Sequence, residues 1–183
     1  IGGAPVSFEV FADEFGEMEA QALEIASWGD NVYVKIPITN TRGESSVPLV
    51  ERLSARKVQV NVTAMMTLDQ VRHVAETLHE ETPAVVSVFA GRIADTGLDP
   101  VPLMREAVGV LESRPKAELL WASPRELLNI FHADEVGCHI ITVTHDLLGK
   151  LKGVGKDLDQ FSLETVQMFY DDASAAGYTI AVG

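Results

Sequence analysis

The chain carries a single cysteine, Cys138, in 183 residues. One thiol cannot close an internal disulfide, which points to a reducing, cytoplasmic compartment. Nothing in the sequence around Cys138 would stabilise a thiolate. At the start of an apolar run it reads as a small buried hydrophobe rather than a nucleophile. Positive charge is scarce as well: 14 Lys and Arg stand against 27 Asp and Glu, for a net charge of −13. No basic cluster interrupts that acidity, so nucleic acid is excluded as a partner, and the charge serves solubility. No apolar stretch approaches the length of a membrane span, so no membrane partner is expected. The five histidines show no ligand spacing. His73 and His79 lie six apart, off any common helical face, so neither a zinc motif nor a metal cofactor is expected. Glycine-rich phosphate loops are missing too, because Gly149-Lys150-Leu151-Lys152-Gly153 lacks the P-loop spacing.

Hydrophobic residues make up 46% of the chain and charged residues 22%, the balance of a globular protein long enough for a sizeable core. Short β-branched runs alternate with amphipathic segments. The pattern predicts strands over 7–11, 33–38, 58–62, 85–89, 118–121 and 140–143. Helices are predicted over 13–28, 47–55, 68–80, 102–113, 125–132 and 146–152, with a final helix over 162–176. Most strand runs are apolar on both faces, as parallel strands covered by helices should be. The β-then-α repetition predicts a parallel α/β fold. No linker rich in Gly, Ser or Pro divides the chain, so one domain is expected over residues 1–183. Thr67-Leu68-Asp69-Gln70 and Ser123-Pro124-Arg125-Glu126 both fit the capping box. Pro124 suits a first helical turn, and Asp13 can cap the helix after the first strand. These junctions fall at carboxyl ends of strands, where active sites of parallel α/β proteins assemble.

Lys35 is the residue least at home in its surroundings. It sits in Val32-Tyr33-Val34-Lys35-Ile36-Pro37-Ile38, where a charge is costly unless paired. Burial disfavours the protonated form, and a neutral amine can attack a ketone to form a Schiff base. Taken alone, the run reads first as an edge-strand lysine that blocks aggregation or snorkels to water, since surface lysines are the norm. Other polar residues gather at strand ends. Glu9 lies in Phe8-Glu9-Val10-Phe11, where it reads as a surface acid or a catalytic one. Asn61 and Thr63 flank Val62 and so share a face; they read as satisfied strand-end groups or as site residues. Ser87 and Phe89 share a face in the fourth run, with Arg92 just beyond. Ser123 is explained as a helix cap, yet a helix N-terminus also binds anions. Beside Arg92 and Arg125 it forms a phosphate-seat candidate. Singly, each arginine reads as solvated or salt-bridged.

Together these segments resemble the transaldolase family, which includes the fructose-6-phosphate aldolases. The resemblance rests on Val34-Lys35-Ile36-Pro37-Ile38-Thr39, then Val60-Asn61-Val62-Thr63, then Ser87-Val88-Phe89-Ala90-Gly91-Arg92-Ile93. Ser7-Phe8-Glu9-Val10 and Ala122-Ser123-Pro124-Arg125 extend it over nearly the whole chain. It implies a (β/α)8 TIM barrel and a class I aldolase mechanism with no cofactor. In that likeness Lys35 matches the Schiff-base lysine, while Glu9 and Thr63 match residues that hold and polarise a catalytic water. Asn61 matches a substrate hydrogen-bonding residue, and Phe89 an aromatic wall. Ser87 falls in the substrate-binding set, and Arg92, Ser123 and Arg125 match sugar-phosphate contacts. The implied activity is transfer of a three-carbon dihydroxyacetone unit from a ketose phosphate to an aldose phosphate. Aldol cleavage or synthesis of the fructose-6-phosphate aldolase type is the near alternative. A non-catalytic sugar-phosphate binding protein is the alternative of another class. Glu9 favours transaldolase, since the resemblance associates glutamine at that place with the aldolase branch.

The likeness has three departures. Pro124 replaces an aromatic, and Met65-Met66-Thr67 replaces a Leu-Phe-Ser type of segment; both would reshape the acceptor side. The third is the count of strands. Six βα units are legible where a barrel of about 250 residues has eight, and the first strand resembles the family's third. The expectation is therefore a barrel domain supplying family strands three to eight plus a C-terminal helix. Two upstream βα units of ~50 to 60 residues, holding the family's catalytic aspartate and a Thr-Asn-Pro segment, would belong to the complete polypeptide. The final helix presents Leu163, Val166, Met168, Phe169 and Ala173. It can cover the barrel or a neighbouring subunit, which makes a homo-oligomer a candidate assembly.

Overall fold

The computed structural model describes residues 3–182. They divide between Thr144 and His145 into two compact units. In the first, six strands alternate with helices: β1 (Val6–Glu9), α1 (Phe15–Ala26), β2 (Val32–Pro37), α2 (Val47–Ala55), β3 (Val60–Met65), α3 (Leu68–Thr77) and β4 (Ala84–Val88). A one-turn helix α4 (Ala90–Ala94) follows, then α5 (Val101–Leu111), β5 (Ala117–Trp121), α6 (Leu128–Glu135) and β6 (Ile140–Ile141). The sheet order is β1-β2-β3-β4-β5-β6 and every pairing is parallel. Parallel neighbours need a crossover, and helices supply each one. The result is a partial (β/α)8 barrel, with β1 and β6 as the two ends of the sheet.

Side-chain alternation separates two clusters. Val34 and Ile36, Val60 and Val62, Val86 and Val88, and Leu119 and Trp121 all join the large core shared with the helices. From the helices come Met18, Leu49, Leu53, Val71, Val74 and Met104. The other face of the sheet, the barrel interior, carries the smaller cluster of Tyr33, Val85, Leu120 and Ala122. β-Branched residues suit this doubly covered sheet, because each strand packs on both faces.

Boundaries shift where backbone chemistry overrides pattern. β3 starts at Val60 rather than 58 and runs to Met65. Lys57 takes a left-handed φ of 66°, which turns the chain before the strand can begin. The capping box at Thr67 forms as expected: its hydroxyl accepts from Gln70 N at 3.3 Å and Gln70 Oε1 accepts from Thr67 N at 3.1 Å. The one expected at Ser123 does not form. Ser123 adopts φ +58°, and α6 starts at Leu128 rather than 125. Pro124 is accordingly outside the first helical turn. Asp13 does not cap α1, whose N-cap position is Glu14. Instead its carboxylate accepts from the backbone N–H and the hydroxyl of Thr41, each at 2.8 Å. Those bonds hold the Asp13 carboxyl below its ordinary range.

The second unit contains α7 (His145–Gly149), a 3-10 turn (Lys150–Gly153) and α8 (Leu158–Ala175). α8 begins four residues before the expected 162, because the Asp157 side chain accepts from Gln160 N at 2.9 Å and caps it there. No helix among the described residues is long and apolar enough to cross a membrane.

Leu119 is fully buried between sheet and helices. Leu119→Ala is expected to destabilise the protein by about 2–5 kcal/mol, read as a lower urea midpoint with an unchanged slope.

Candidate active site

Parallel register brings Glu9, Lys35 and Asn61 into one row: Glu9 pairs with Lys35, and Lys35 with Asn61. Paired residues on adjacent strands point to the same face, so this row lies on the barrel interior. The apolar neighbours Val34 and Ile36 point the other way, into the main core. Lys35 is therefore not enclosed by its sequence neighbours. Its side chain is 31% exposed and its Nζ donates to Glu9 Oε2 at 3.2 Å, with Glu9 46% exposed. Both are open because β1 is an end strand of the sheet.

The next residues inward are closely held. Ser87 Oγ donates to Asn61 Oδ1 at 2.7 Å, and Asn61 Nδ2 donates to Ser7 Oγ at 3.0 Å. Asn61 and Ser87 are buried. Beyond Asn61 the register between β3 and β4 shifts, since Val62 pairs with Val86 but Met65 with Val88. The extra residue is accommodated by Ala64 at φ +63°. Such a bulge bends the strand and re-aims its side chains. Thr63, just before it, is buried, and its Oγ1 has no hydrogen-bond partner. A buried unpartnered hydroxyl that lines a cleft is suited to receive a ligand or a water.

A cleft of about 390 Å³ opens over these groups, lined by Ser7, Lys35, Asn61, Thr63, Ser87 and Phe89, with Leu120, Ala122, Ser123 and Thr142. Of the residues singled out from sequence, Lys35, Asn61, Thr63, Ser87, Phe89 and Ser123 thus share one wall. Glu9 reaches it through Lys35 while lining a separate apolar cleft with Phe8, Phe11 and Trp28. Arg92 and Arg125 do not line the cleft. The Arg92 guanidinium lies 5.5 Å over the Phe89 ring. Arg125 makes a bidentate pair with Asp95, with Nε 2.9 Å from Oδ1. That pairing holds the Asp95 carboxyl below the ordinary carboxylate range.

The expected phosphate seat on a helix N-terminus needs correcting. The N–H groups of Arg125 and Glu126 are already bound by Asn129 Oδ1, at 2.8 and 3.2 Å, so they are not free for an anion. What places Ser123 is close contact with Gly91. A Cβ on Gly91 would sit 1.5 Å from the Ser123 carbonyl oxygen and 3.4 Å from Arg125 Nε. Only glycine permits that approach.

Ser7 and Thr142 were not singled out from sequence. Ser7 stands two residues before Glu9, and Thr142 two after Ile140, so period-2 alternation was the available signal. Cys138 is half-buried, and burial pushes its thiol up to about 12, which leaves it inert as a nucleophile. Among the described residues, no three His, Cys, Asp or Glu side chains cluster as a metal ion would require.

A family model described as transaldolase/fructose-6-phosphate aldolase matches residues 2–180. The chain belongs to the transaldolase/fructose-6-phosphate aldolase family. A protein of Listeria monocytogenes named probable transaldolase 2 is 34% identical over 173 residues, covering 88% of this chain and 76% of that one. A probable transaldolase of Streptococcus equi subsp. zooepidemicus is 33% identical over 152 residues, 82% of this chain and 67% of that one. Among solved structures, a mandelate oxidase mutant matches with a TM-score of 0.56 at 15% identity, covering 76% of this chain and 48% of that one. That likeness is one of fold alone. Membership of the transaldolase/fructose-6-phosphate aldolase family makes this a transaldolase-type enzyme.

Gly91→Ala is expected to destabilise the protein by about 1–3 kcal/mol, because the Ser123 carbonyl must move. Hydrogen exchange should quicken at Ser123 and Arg125 while the amides of β3 stay protected.

Proposed function

We propose that this protein is a transaldolase that moves a three-carbon dihydroxyacetone unit from a ketose phosphate to an aldose phosphate through a Schiff base on Lys35. The observation that carries the reading is the 3.2 Å pair of Lys35 Nζ with Glu9 Oε2 beside the cleft that also holds Asn61 and the unpartnered Thr63 hydroxyl. Glu9 is within reach to take the ammonium proton. The neutral amine adds to the ketose carbonyl, and loss of water, with a proton returned by Glu9, leaves an iminium. The C3–C4 bond then breaks, its electron pair flowing into the iminium to form an enamine. The C4 hydroxyl gives up its proton through a water held at Thr63 and Glu9, and an aldehyde leaves. The enamine carbon attacks the carbonyl of the incoming aldehyde, whose oxygen takes a proton. Water hydrolyses the new iminium and frees Lys35.

Asn61 and Ser87 would hold substrate hydroxyls, and Phe89 would wall the apolar side. Arg92, carried on the Phe89 ring, would meet the phosphate together with Ser123 and the Nη1 edge of Arg125 that Asp95 leaves uncovered. Holding the phosphate at the cleft mouth fixes the reacting carbonyl near Lys35.

Borohydride with a ketose phosphate should add a three-carbon adduct to Lys35, identified by peptide mass. Lys35→Ala should take no adduct and lose turnover by at least about 10³-fold. Formation of a transferred product only with an aldehyde acceptor supports the transaldolase; release of free dihydroxyacetone without one indicates the aldolase type. Equal ketose-phosphate binding by the wild type and Lys35→Ala, with turnover by neither, indicates a binding protein and rejects the proposal. Arg92→Ala should raise KM for phosphorylated ketoses about 10- to 100-fold, the loss of one charge-assisted contact. It should leave the reaction of unphosphorylated dihydroxyacetone unchanged.

A further inference from the structure

Asn61 is held from both ends by serines on different strands. Ser87 on β4 donates to its Oδ1 at 2.7 Å, and its Nδ2 donates to Ser7 Oγ on β1 at 3.0 Å. The second contact crosses β2, which lies between β1 and β3 in the sheet. Interior side chains of a closing barrel converge, and that convergence lets Asn61 reach a residue two strands away. The three polar groups make a continuous chain from β1 through β3 to β4, and Asn61 is the member it shares with the row of Glu9, Lys35 and Asn61.

The final torsion of an asparagine side chain is broad and nearly two-fold. Its rotamer therefore does not set the plane of the carboxamide; its hydrogen bonds do. A single bond to Ser87 would let that plane swing about the Oδ1 contact, whereas bonds at both ends lock it. Asn61 pairs in register with Lys35, so the two backbones stand one strand spacing apart, about 4.8 Å, with both side chains on the same face. One Nδ2 hydrogen is taken by Ser7. The other is left by valence to address an oxygen bound in the cleft. Ser7 itself is exposed on an end strand, and its side chain belongs to neither apolar cluster. Exchanging such a residue changes stability little. Among the described residues, the side-chain hydrogen bond of Ser7 is the one it accepts from Asn61.

We propose that Ser7 is a positioning residue: it locks the Asn61 carboxamide, against the opposing pull of Ser87, in the plane that presents Nδ2–H to the substrate beside Lys35. The proposal rests on Lys35 as the Schiff-base residue. Ser7→Ala should keep the melting temperature and lower kcat about ten- to a hundredfold with a smaller change in KM, the scale of a misplaced contact. Ser7→Thr, which keeps the hydroxyl, should restore most of the loss. The decisive measurement is a double-mutant cycle. In the Asn61→Ala background, Ser7→Ala should cost nothing further, because the group it positions is gone. A direct readout independent of turnover is the side-chain NH₂ resonance of Asn61 in protein labelled with ¹⁵N-asparagine, where only four asparagines contribute. In Ser7→Ala its two proton shifts should move closer together, and the other three asparagines should not change. Unchanged Asn61 resonances, or an equal loss from Ser7→Ala with and without Asn61, would overturn the proposal. If the wild type takes no borohydride adduct on Lys35 while the Asn61 resonance still responds to Ser7→Ala, it is the Schiff-base reading that fails, and the orienting role of Ser7 stands.

Discussion

Val34 and Ile36 are fully buried against the helices, and Lys35 between them faces the opposite way. The site depends on that alternation. In a strand of period two, an ammonium group flanked by core residues must project from the other side of the sheet. Parallel register then puts Glu9 on one side of it and Asn61 on the other. A slip of one residue in β2 would drive Lys35 into the main core and lift Val34 into the cleft, so the packing that stabilises the sheet also specifies the chemistry. The charge is not left alone: Glu9 Oε2 lies 3.2 Å from the ammonium, and both side chains remain open to solvent.

Departures from regular structure concentrate where the cleft opens. Ala64 and Ser123 both occupy left-handed backbone conformations that ordinary residues seldom adopt. The first marks the bulge after Thr63, and the second ends β5 beside Gly91. Each changes the direction of a strand end and leaves a hydroxyl-bearing side chain on the cleft wall. Such strain persists only where surrounding contacts over-determine it. Here Asn129 binds the backbone of the loop after Ser123, and Asp95 holds Arg125. The loop is thereby placed by its own polar contacts rather than by a helix terminus.

Much of the fold is legible in the residues themselves. The alternation of β-branched runs with amphipathic segments marks every strand and most helices, because burial on both sheet faces demands those residue types. The Thr67 capping box is local chemistry and is read directly from four residues. Ser123-Pro124-Arg125-Glu126 has the same pattern but no cap, since the close approach of Gly91 and the contacts of Asn129 and Asp95 are tertiary and outweigh a local preference. The short helix α4 is not legible in the sequence, because five residues after a strand carry too little periodicity to mark a helix.

The sequence by itself determined the parallel α/β architecture, the likeness to transaldolases and the face on which Lys35, Asn61, Thr63 and Ser87 lie. Those follow from residue type and spacing along one chain. Only the tertiary structure decided the partners across strands: Glu9 on Lys35, Ser7 and Ser87 on Asn61, Asp95 on Arg125, and Thr63 left with none. Each of these joins residues separated by one or more βα units, or depends on burial. Register and barrel curvature set such distances, and no local pattern encodes them.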